Sequence, residues 1–337
     1  MSRVYLDWNA TAPLRPEARD AMIGAMDIIG NPSSVHGEGR AAKAIVERAR
    51  GQVAAAIGAT NSDIVFTSNA TEAAALALKG QGFASSEMEH DCVLAWTTRG
   101  ELAVSQTALQ QVNSETGVLI ELPENTGFCD AVQAIGKIPY GFENSGAQRA
   151  VISAHKFGGP KGAGALVVRK GVEVTAQLKG GGQEQGRRSG TENVIGIAGM
   201  GAAAMAAQHD LDRGIWDQVA EIRDAFEDRI LNEAPDVIIF GKDVARLPNT
   251  SYFAVKGWRG ETQVMQMDLA GYAVSAGSAC SSGKTKASCT LMAMGFDDLT
   301  AASALRVSIG PSTTKQDLDG FATAWLNEYR RFKARAA

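Results

Sequence analysis

The spacing of hydrophobic and polar positions predicts a helix, a strand and a second helix in the first quarter of the chain. Between residues 42 and 56, apolar side chains recur at helical spacing with charged side chains on the opposite face, and Gly58 closes the predicted helix. Residues 63–67 (DIVFT) are typical of a short buried strand. A helix over residues 73–78 should follow, because Asn69 and Glu72 resemble a capping box. The free N–H groups at such a helix N-terminus favour an anion.

The rest of the chain shows two different patterns of predicted secondary structure. Short apolar runs at residues 92–96, 117–122, 150–152 and 164–168 alternate with turns, which indicates an α/β domain with a largely parallel sheet. After about residue 210, a charged amphipathic helix (211–231), strands at 236–240 and 250–253 and a final helix (317–332) suggest a smaller α+β domain. We therefore expect a large domain at 13–210, and a small domain formed by 1–12 and 211–337.

Composition excludes several classes of protein. The 337 residues are long for one core, and 33 Lys+Arg against 37 Asp+Glu give a net charge of −4, which argues against nucleic-acid or anionic-membrane binding. No apolar run reaches 18 residues, and the first residues lack the apolar stretch of a signal peptide, so we expect a cytoplasmic protein. The four cysteines show neither a CxxC pair nor metal-site spacing, so no metal is expected and most of the thiols should be reduced and buried.

Two glycine motifs resemble nucleotide-binding signatures. Residues 199–204 (GMGAAA) fit GxGxxA, but no βαβ unit surrounds them, so a closely packed helix of small residues is the preferred interpretation. Residues 283–285 (GKT) resemble the end of a P-loop. The position that should hold its first glycine is Ser278, and we reject this motif.

The strongest local signal is Lys156 within residues 153–162 (SAHKFGGPKG). Lysines in loops are usually solvated. A lysine buried at a strand end, however, loses its charge readily and becomes an amine nucleophile for carbonyl carbons. With a serine and a histidine that could meet a phosphate, this is the arrangement of a Schiff-base lysine for pyridoxal phosphate (PLP).

At this point the chain resembles the class V, fold-type I PLP-dependent enzymes, and within them the cysteine desulfurases of the NifS/IscS type. The resemblance runs nearly end to end, through YLDWNAT (5–11), GNPSSVH (30–36), NATE (69–72), SAHK (153–156), RSGT (188–191) and GSACSSG (277–283). The last motif distinguishes desulfurases from other class V enzymes. The implied fold is a mostly parallel central sheet with flanking helices plus a smaller α+β domain.

The resemblance assigns roles around the cofactor ring. Lys156 would hold PLP and move protons, and Asp130 would keep the pyridine nitrogen protonated, although it could instead cap a helix starting at residue 131. Gln133 would face the phenolic oxygen. His90 would stack on the ring and assist proton transfer, and Asn113 would contact both cofactor and substrate.

A second group would bind the phosphate. Ala70 and Thr71 lie at the predicted helix N-terminus, and the resemblance adds Ser153 and His155 to the phosphate site. Thr191 matches a threonine that the family supplies from the neighbouring subunit, which implies a homodimer.

The substrate implied by the resemblance is L-cysteine. Arg306 would grip its carboxylate, with Asn31 nearby, although a solvated arginine at a strand end is the alternative. Cys280 would take the sulfur as a persulfide, and the Gly/Ser/Lys/Thr-rich composition of residues 277–288 predicts solvent access. The remaining cysteines fit a buried, inert role better: Cys92, Cys129 and, less clearly, Cys289.

One departure from the family lies between His90 and Asp130. Asn113 follows His90 by only 23 residues and precedes Asp130 by only 17. A few tens of residues, including a strand and a helix, are largely missing against the family pattern. We expect cofactor binding to survive, and sheet coverage and partner surfaces to differ.

The expected function is that of a homodimeric, PLP-dependent cysteine desulfurase. It would form L-alanine and a persulfide for an iron–sulfur scaffold or another sulfur acceptor. The alternatives are another class V activity (selenocysteine lyase or aminotransferase) and a degenerate, non-catalytic PLP-fold partner protein.

Overall fold

A computed structural model describes residues 3–100, 103–277 and 287–336 of the chain. Its strands are β1 (Val4–Tyr5), β2 (Ser62–Thr67), β3 (Ala84–Ser85), β4 (Thr98–Arg99), β5 (Thr107–Gln110), β6 (Phe128–Asp130), β7 (Arg149–Ser153), β8 (Gly164–Arg169), β9 (Val237–Ile239), β10 (Thr250–Val255), β11 (Tyr272–Ala273), β12 (Ser275–Ala276) and β13 (Ala304–Ser308). Its helices are α1 (Pro16–Met26), α2 (Gly37–Ala56), α3 (Ala70–Leu78), α4 (Asp91–Leu94), α5 (Val194–Asp212), α6 (Ile215–Glu233), α7 (Gly260–Leu269), α8 (Cys289–Ala293), α9 (Asp298–Ala301) and α10 (Lys315–Ala336). Within the described residues, every helix is too short or too polar to cross a membrane.

The chain forms two compact units. The central unit comprises Thr11–Val112 and Ile120–Arg213, and the terminal unit comprises Met1–Ala10, Asn113–Leu119 and Gly214–Ala337. Nothing in the sequence pattern indicated that residues 113–119 belong with the terminal unit.

The central unit is built on a mixed sheet with the strand order β2-β8-β7-β6-β5-β3-β4. The neighbours from β7 through β4 are parallel, whereas β8 is antiparallel to both β2 and β7. The sheet is therefore mostly parallel, as expected. Parallel strands end at the same sheet edge, so the residues that follow β6 and β7 come together there.

Helices cover both faces of this sheet. One apolar cluster joins the sheet to α1, α2 and α5, and another joins it to α3. Gly199 and Gly201 lie within α5, where an added Cβ would come 2.7 Å from Met22 Cγ and 2.8 Å from Ala49 Cα. The GxGxxA motif is thus a close helix contact, which confirms the preferred interpretation.

The terminal unit contains a sheet of order β12-β13-β10-β9 and the pair β1-β11. The apolar face predicted for the final helix is present in α10, where Trp325 and Phe321 are fully buried. Trp325 packs edge-on against Phe253, and its indole N–H donates to Gln263 Oε1 at 2.9 Å. Burial of these large rings dominates the packing energy of this unit.

Three predicted elements differ from the structure. Residues 92–96, expected as a strand, fall largely in the short helix α4, because His90 caps that helix. Residues 117–122 contain isolated bridge residues at Val118, which pairs with Arg246, and at Leu119, but no strand. The helix predicted at 211–231 begins at residue 215, because Gly214 has φ +67° and separates α5 from α6.

The shortened segment has a clear structural outcome. In the described part of the chain, no α-helix occurs between α4 and α5, and residues 121–127 form turns and extended backbone. The strands β4 and β5 are nevertheless present. Strands therefore stand beside Asp130 in this chain, with no α-helix between α4 and α5 in the described part.

Candidate active site

The candidate site of the central unit lies at the carboxyl ends of two neighbouring parallel strands. Asp130 is the last residue of β6, and Ser153 is the last residue of β7, whose register pairs Asp130 with Val151. Lys156 follows Ser153 after one 3₁₀ turn. The sheet thus places an amine and a carboxylate at one edge.

Asp130 is only 8% exposed, and its Oδ1 accepts a hydrogen bond from the Val132 amide at 2.9 Å. No helix follows it, so the predicted alternative of a helix cap is wrong, and the carboxylate instead closes a local turn. Burial raises the pKa of Asp130, while the positive charges of His90 and Lys156 act in the opposite direction. A buried carboxylate of this kind is suited to hold a protonated ring nitrogen.

His90 caps the helix α4. Its Nδ1 accepts from the Cys92 amide at 3.1 Å and lies 3.0 Å from Cys92 Sγ. Because Nδ1 accepts from that amide, a ring proton of His90 is carried on Nε2. Thr71 also hydrogen-bonds Cys92, so this buried thiol links His90 to the start of α3, and burial raises its pKa.

The start of α3 lies against the end of β7. Gly164 pairs with both Thr67 and Ser153, and a Cβ there would come 2.7 Å from the Asn69 backbone. The predicted cap is present, since Asn69 Oδ1 accepts from the Glu72 amide at 2.9 Å. Glu72 reaches the Ser68 amide and not that of Asn69, so the reciprocal half of the capping box is shifted by one residue.

This region fits a phosphate. Ala70 and Thr71 occupy the first turn of α3, and the Ser153 hydroxyl is buried with no hydrogen-bond partner among the described residues. A buried hydroxyl without a partner is costly unless a ligand completes it. Burial and nearby lysines lower the pKa of His155 to about 4, so its ring is neutral near pH 7. Near Lys156, the Ser153 hydroxyl and the first turn of α3 are therefore suited to donate to the phosphate of PLP, and the Asp130 carboxylate is suited to accept from its protonated ring nitrogen.

Two residues near this site were not found from the sequence. Lys137 is only 2% exposed and donates to the side-chain oxygen of Gln133. Glu89 is 5% exposed, its Oε1 accepts from the Gln110 amide at 2.9 Å, and its Oε2 has no hydrogen-bond partner among the described residues. Burial raises the pKa of Glu89 to about 8. The only sequence signal was their proximity to His90 and Gln133.

The terminal unit holds the predicted carboxylate-binding arginine. Arg306 lies in the middle of β13, is 4% exposed, and donates to Asp7 Oδ1 at 2.9 Å and to the Ser114 carbonyl at 2.8 Å. Its Nε is buried and has no partner among the described residues. The alternative of a solvated strand-end arginine is therefore wrong. Asp7, its partner, was not found from the sequence.

Asn113 and Glu115 form part of the same unit. Asn113 Oδ1 accepts from the amides of Glu115 and Thr116, at 3.1 and 2.9 Å, which fixes a tight turn. The buried carboxylate of Glu115 accepts from the Tyr252 hydroxyl at 2.9 Å and the Ser288 hydroxyl at 2.5 Å. Strand β10 and the start of α8 are thereby tied to this turn.

The cysteines divide differently from the prediction. Cys280 and the GKT residues 283–285 lie outside the described residues. Cys92 and Cys129 are buried, as expected, whereas Cys289 is exposed at the first turn of α8, whose buried positions are Thr290 and Leu291.

Two predicted site residues lie on the surface of the central unit. Asn31 is exposed, and its Oδ1 accepts from the Ser33 amide at 2.9 Å. Thr191 is exposed beside a pocket of about 170 Å³ whose lining includes Ser68 and Arg188. Among the residues described, no group of histidine, cysteine or carboxylate side chains could hold a metal ion.

Comparison with known proteins places these features in context. The family model "Aminotransferase class-V" matches residues 4–127 and 103–321. A curated "Cysteine desulfurase" of Cereibacter sphaeroides is 38% identical, with 95% of this chain and 94% of that protein covered. That alignment runs over 366 positions, more than the 337 residues of this chain, because the relative carries segments that this chain lacks.

Solved structures also resemble this chain over nearly its whole length. A "NifS-like protein" of Rickettsia africae has a TM-score of 0.88 and 29% identity, covering 97% of this chain and 99% of that one. A structure described as "SspA in complex with cysteine" has a TM-score of 0.75 and 27% identity, covering 92% of this chain and 100% of that one.

The architecture is therefore that of the fold-type I PLP-dependent transferases. The chain belongs to the class-V aminotransferase family, and within it to the cysteine desulfurases.

Proposed function

We propose that this chain is a PLP-dependent L-cysteine desulfurase that forms L-alanine and a persulfide on Cys280. The observation that supports this most is the position of Lys156 and the buried Asp130 at neighbouring strand ends. The similarity to cysteine desulfurases supports the same substrate.

Each residue of the central unit has a defined task in this proposal. Bound PLP supplies an electron sink for the substrate Cα. Lys156 holds the cofactor through its amine and moves a proton at Cα, and the Asp130 carboxylate keeps the pyridine nitrogen protonated. His90 presents its Nε2–H to the site, and Ser153 with the first turn of α3 donates to the phosphate.

In this proposal Arg306, Asn113 and Asn31 hold the substrate, and Cys280 attacks it. The guanidinium of Arg306 binds the cysteine carboxylate, and Asn113 and Asn31 complete the substrate site. The Cys280 thiolate attacks the substrate sulfur, so that a sulfur–sulfur bond forms while the substrate Cβ–S bond breaks. Protonation of the substrate Cβ yields alanine. Alanine and the Cys280 persulfide together contain all the atoms of the substrate cysteine and the Cys280 thiol.

We also propose a homodimer in which Thr191 completes the phosphate site of the neighbouring subunit. Thr191 is exposed, and large apolar side chains are exposed on the same unit, with Ile29 90% and Val35 88% accessible. Such apolar exposure is typical of an interface. The division into a large cofactor domain and a small domain is part of this proposal.

The sulfur would pass from Cys280 to an acceptor, such as an iron–sulfur scaffold protein. We propose a cytoplasmic location, because the cysteines of the described residues are all free thiols, which a reducing compartment maintains.

The test is to incubate purified protein with PLP and L-cysteine and to measure alanine and sulfide. Wild type should produce both. Cys280→Ser should keep the visible cofactor band and lose sulfide release, and Lys156→Ala should lose the band. Unchanged turnover in Cys280→Ser would favour another class V activity, and a wild-type protein unable to take up PLP would favour a non-catalytic protein.

A further inference from the structure

Lys137 is an unusual lysine because it is almost completely buried. Only 2% of its surface is exposed, although lysines are nearly always solvated unless a specific partner holds them. It follows Asp130 by seven residues, in the irregular turn that leaves the end of β6. Its burial therefore requires an explanation within the candidate site.

The turn that carries Lys137 is fixed by packing. Gly136 has φ +72°, and a Cβ there would come 2.7 Å from Ala207 Cβ on α5. The amide of Lys137 donates to the Ala134 carbonyl at 3.1 Å. The backbone at Lys137 is therefore held in one conformation beside α5.

The side chain of Lys137 contacts the side chain of Gln133. The Lys137 amine donates to Gln133 Oε1, and Gln133 is itself only 4% exposed. An ammonium group has donors and no acceptor, so the amide oxygen must face Lys137. The amide nitrogen of Gln133 is consequently turned the other way, as an N–H donor.

The charge of Lys137 also acts on His155, a residue of the candidate site. Together with burial, the positive charges of Lys156, Lys161 and Lys137 lower the pKa of His155. Lys161 is exposed, whereas Lys137 adds its charge from within the protein. Lys137 makes the smallest of these contributions, after Lys156 and Lys161.

We propose that Lys137 is a positioning residue that fixes the Gln133 amide with its N–H groups toward the phenolic oxygen of PLP. This inference rests on the proposed function, since it assigns a role toward the cofactor. Lys137 itself does not touch the reacting atoms, and its effect passes through Gln133.

The experiment measures the dissociation constant of PLP from the apoprotein in a double-mutant cycle. Lys137→Met keeps the length of the side chain and removes the donor, and it should weaken PLP binding about tenfold. In a Gln133→Ala background, the same substitution should change the constant less than about twofold, because the partner is gone. Lys161→Met removes a nearby exposed charge and should resemble wild type.

Each outcome decides the inference. Equal weakening by Lys137→Met in both backgrounds, or no weakening in either, would overturn it. If Lys137→Met does not fold, Lys137→Gln, which retains an N–H donor, replaces it in the same cycle and should lose less affinity. A wild-type protein that does not bind PLP would overturn the proposed function and this inference together, whereas binding that ignores Lys137 would overturn the inference alone.

Discussion

The guanidinium of Arg306 donates to Asp7 Oδ1 at 2.9 Å, and the two residues come from opposite ends of the chain. Ser275 donates to the other oxygen of Asp7 at 2.7 Å, so the carboxylate is held from both sides. The backbone of Asp7 also forms a β-bridge with Ser308, the last residue of β13. An arginine proposed to bind a carboxylate substrate is thus oriented by a carboxylate of the protein.

Asp7→Asn should destabilise the protein by about 3 kcal/mol, because it leaves the charge of Arg306 buried without its partner. Urea unfolding of the apoprotein measures this change. The matched control is Asp268→Asn, which breaks the exposed pair with Arg3 and should change stability by less than about 1 kcal/mol. Equal effects of the two substitutions would contradict the prediction.

Ser153→Ala should affect stability and cofactor binding in opposite directions. The apoprotein should become as stable or slightly more stable, because a buried hydroxyl without a partner is removed. PLP binding should weaken about tenfold, because a donor to the phosphate is lost.

Ser251 provides the control for this prediction. Its hydroxyl on β10 is also buried without a partner among the described residues. Ser251→Ala should therefore match Ser153→Ala in thermal stability and leave the PLP dissociation constant unchanged. A loss of PLP affinity in both variants would argue against a phosphate contact by Ser153.

The raised pKa of Glu89 predicts a pH-dependent stability. Burial holds the pKa near 8 in the folded protein, against an ordinary value of 4.5, so the folded state retains a proton that the unfolded chain releases. Between these two values, this carboxyl lowers stability by about 1.4 kcal/mol for each unit of rising pH. Glu89→Gln removes this contribution while its amide oxygen can still accept from Gln110.

The measurement is the free energy of unfolding of the apoproteins at pH 5, 6, 7 and 8. The stability of Glu89→Gln relative to wild type should rise steadily with pH across this range. Glu87→Gln, an exposed neighbour, should run parallel to wild type. A constant difference between Glu89→Gln and wild type would show that the Glu89 carboxyl titrates normally.

Thr191→Ala should weaken PLP binding if the partner subunit completes the phosphate site. Wild-type protein should then lose PLP on dilution at the same concentration at which sedimentation detects dimer dissociation. Thr175→Ala, another exposed threonine of the central unit, should leave both properties unchanged. Retention of PLP by a wild-type monomer would contradict the shared site.

Elements with strong local signals follow directly from the order of the amino acids. The helix ending near residue 56, the strand β2, the cap at Asn69 and the apolar face of α10 follow from periodicity and short-range hydrogen bonding. The motif around Lys156, and each of the short motifs that carry the family resemblance, likewise consists of neighbouring residues. These features depend on contacts a few positions apart, which a linear pattern records.

Features that depend on contacts between distant residues arise only in the folded chain. The sequence pattern also missed two local features, the short helix α4 that His90 caps and the left-handed Gly214 that separates α5 from α6. The burial of Arg306 against Asp7, and of Lys137 against Gln133, arises only when the chain folds. A charged side chain becomes part of a site when folding removes water and supplies a partner, and sequence spacing carries no measure of either.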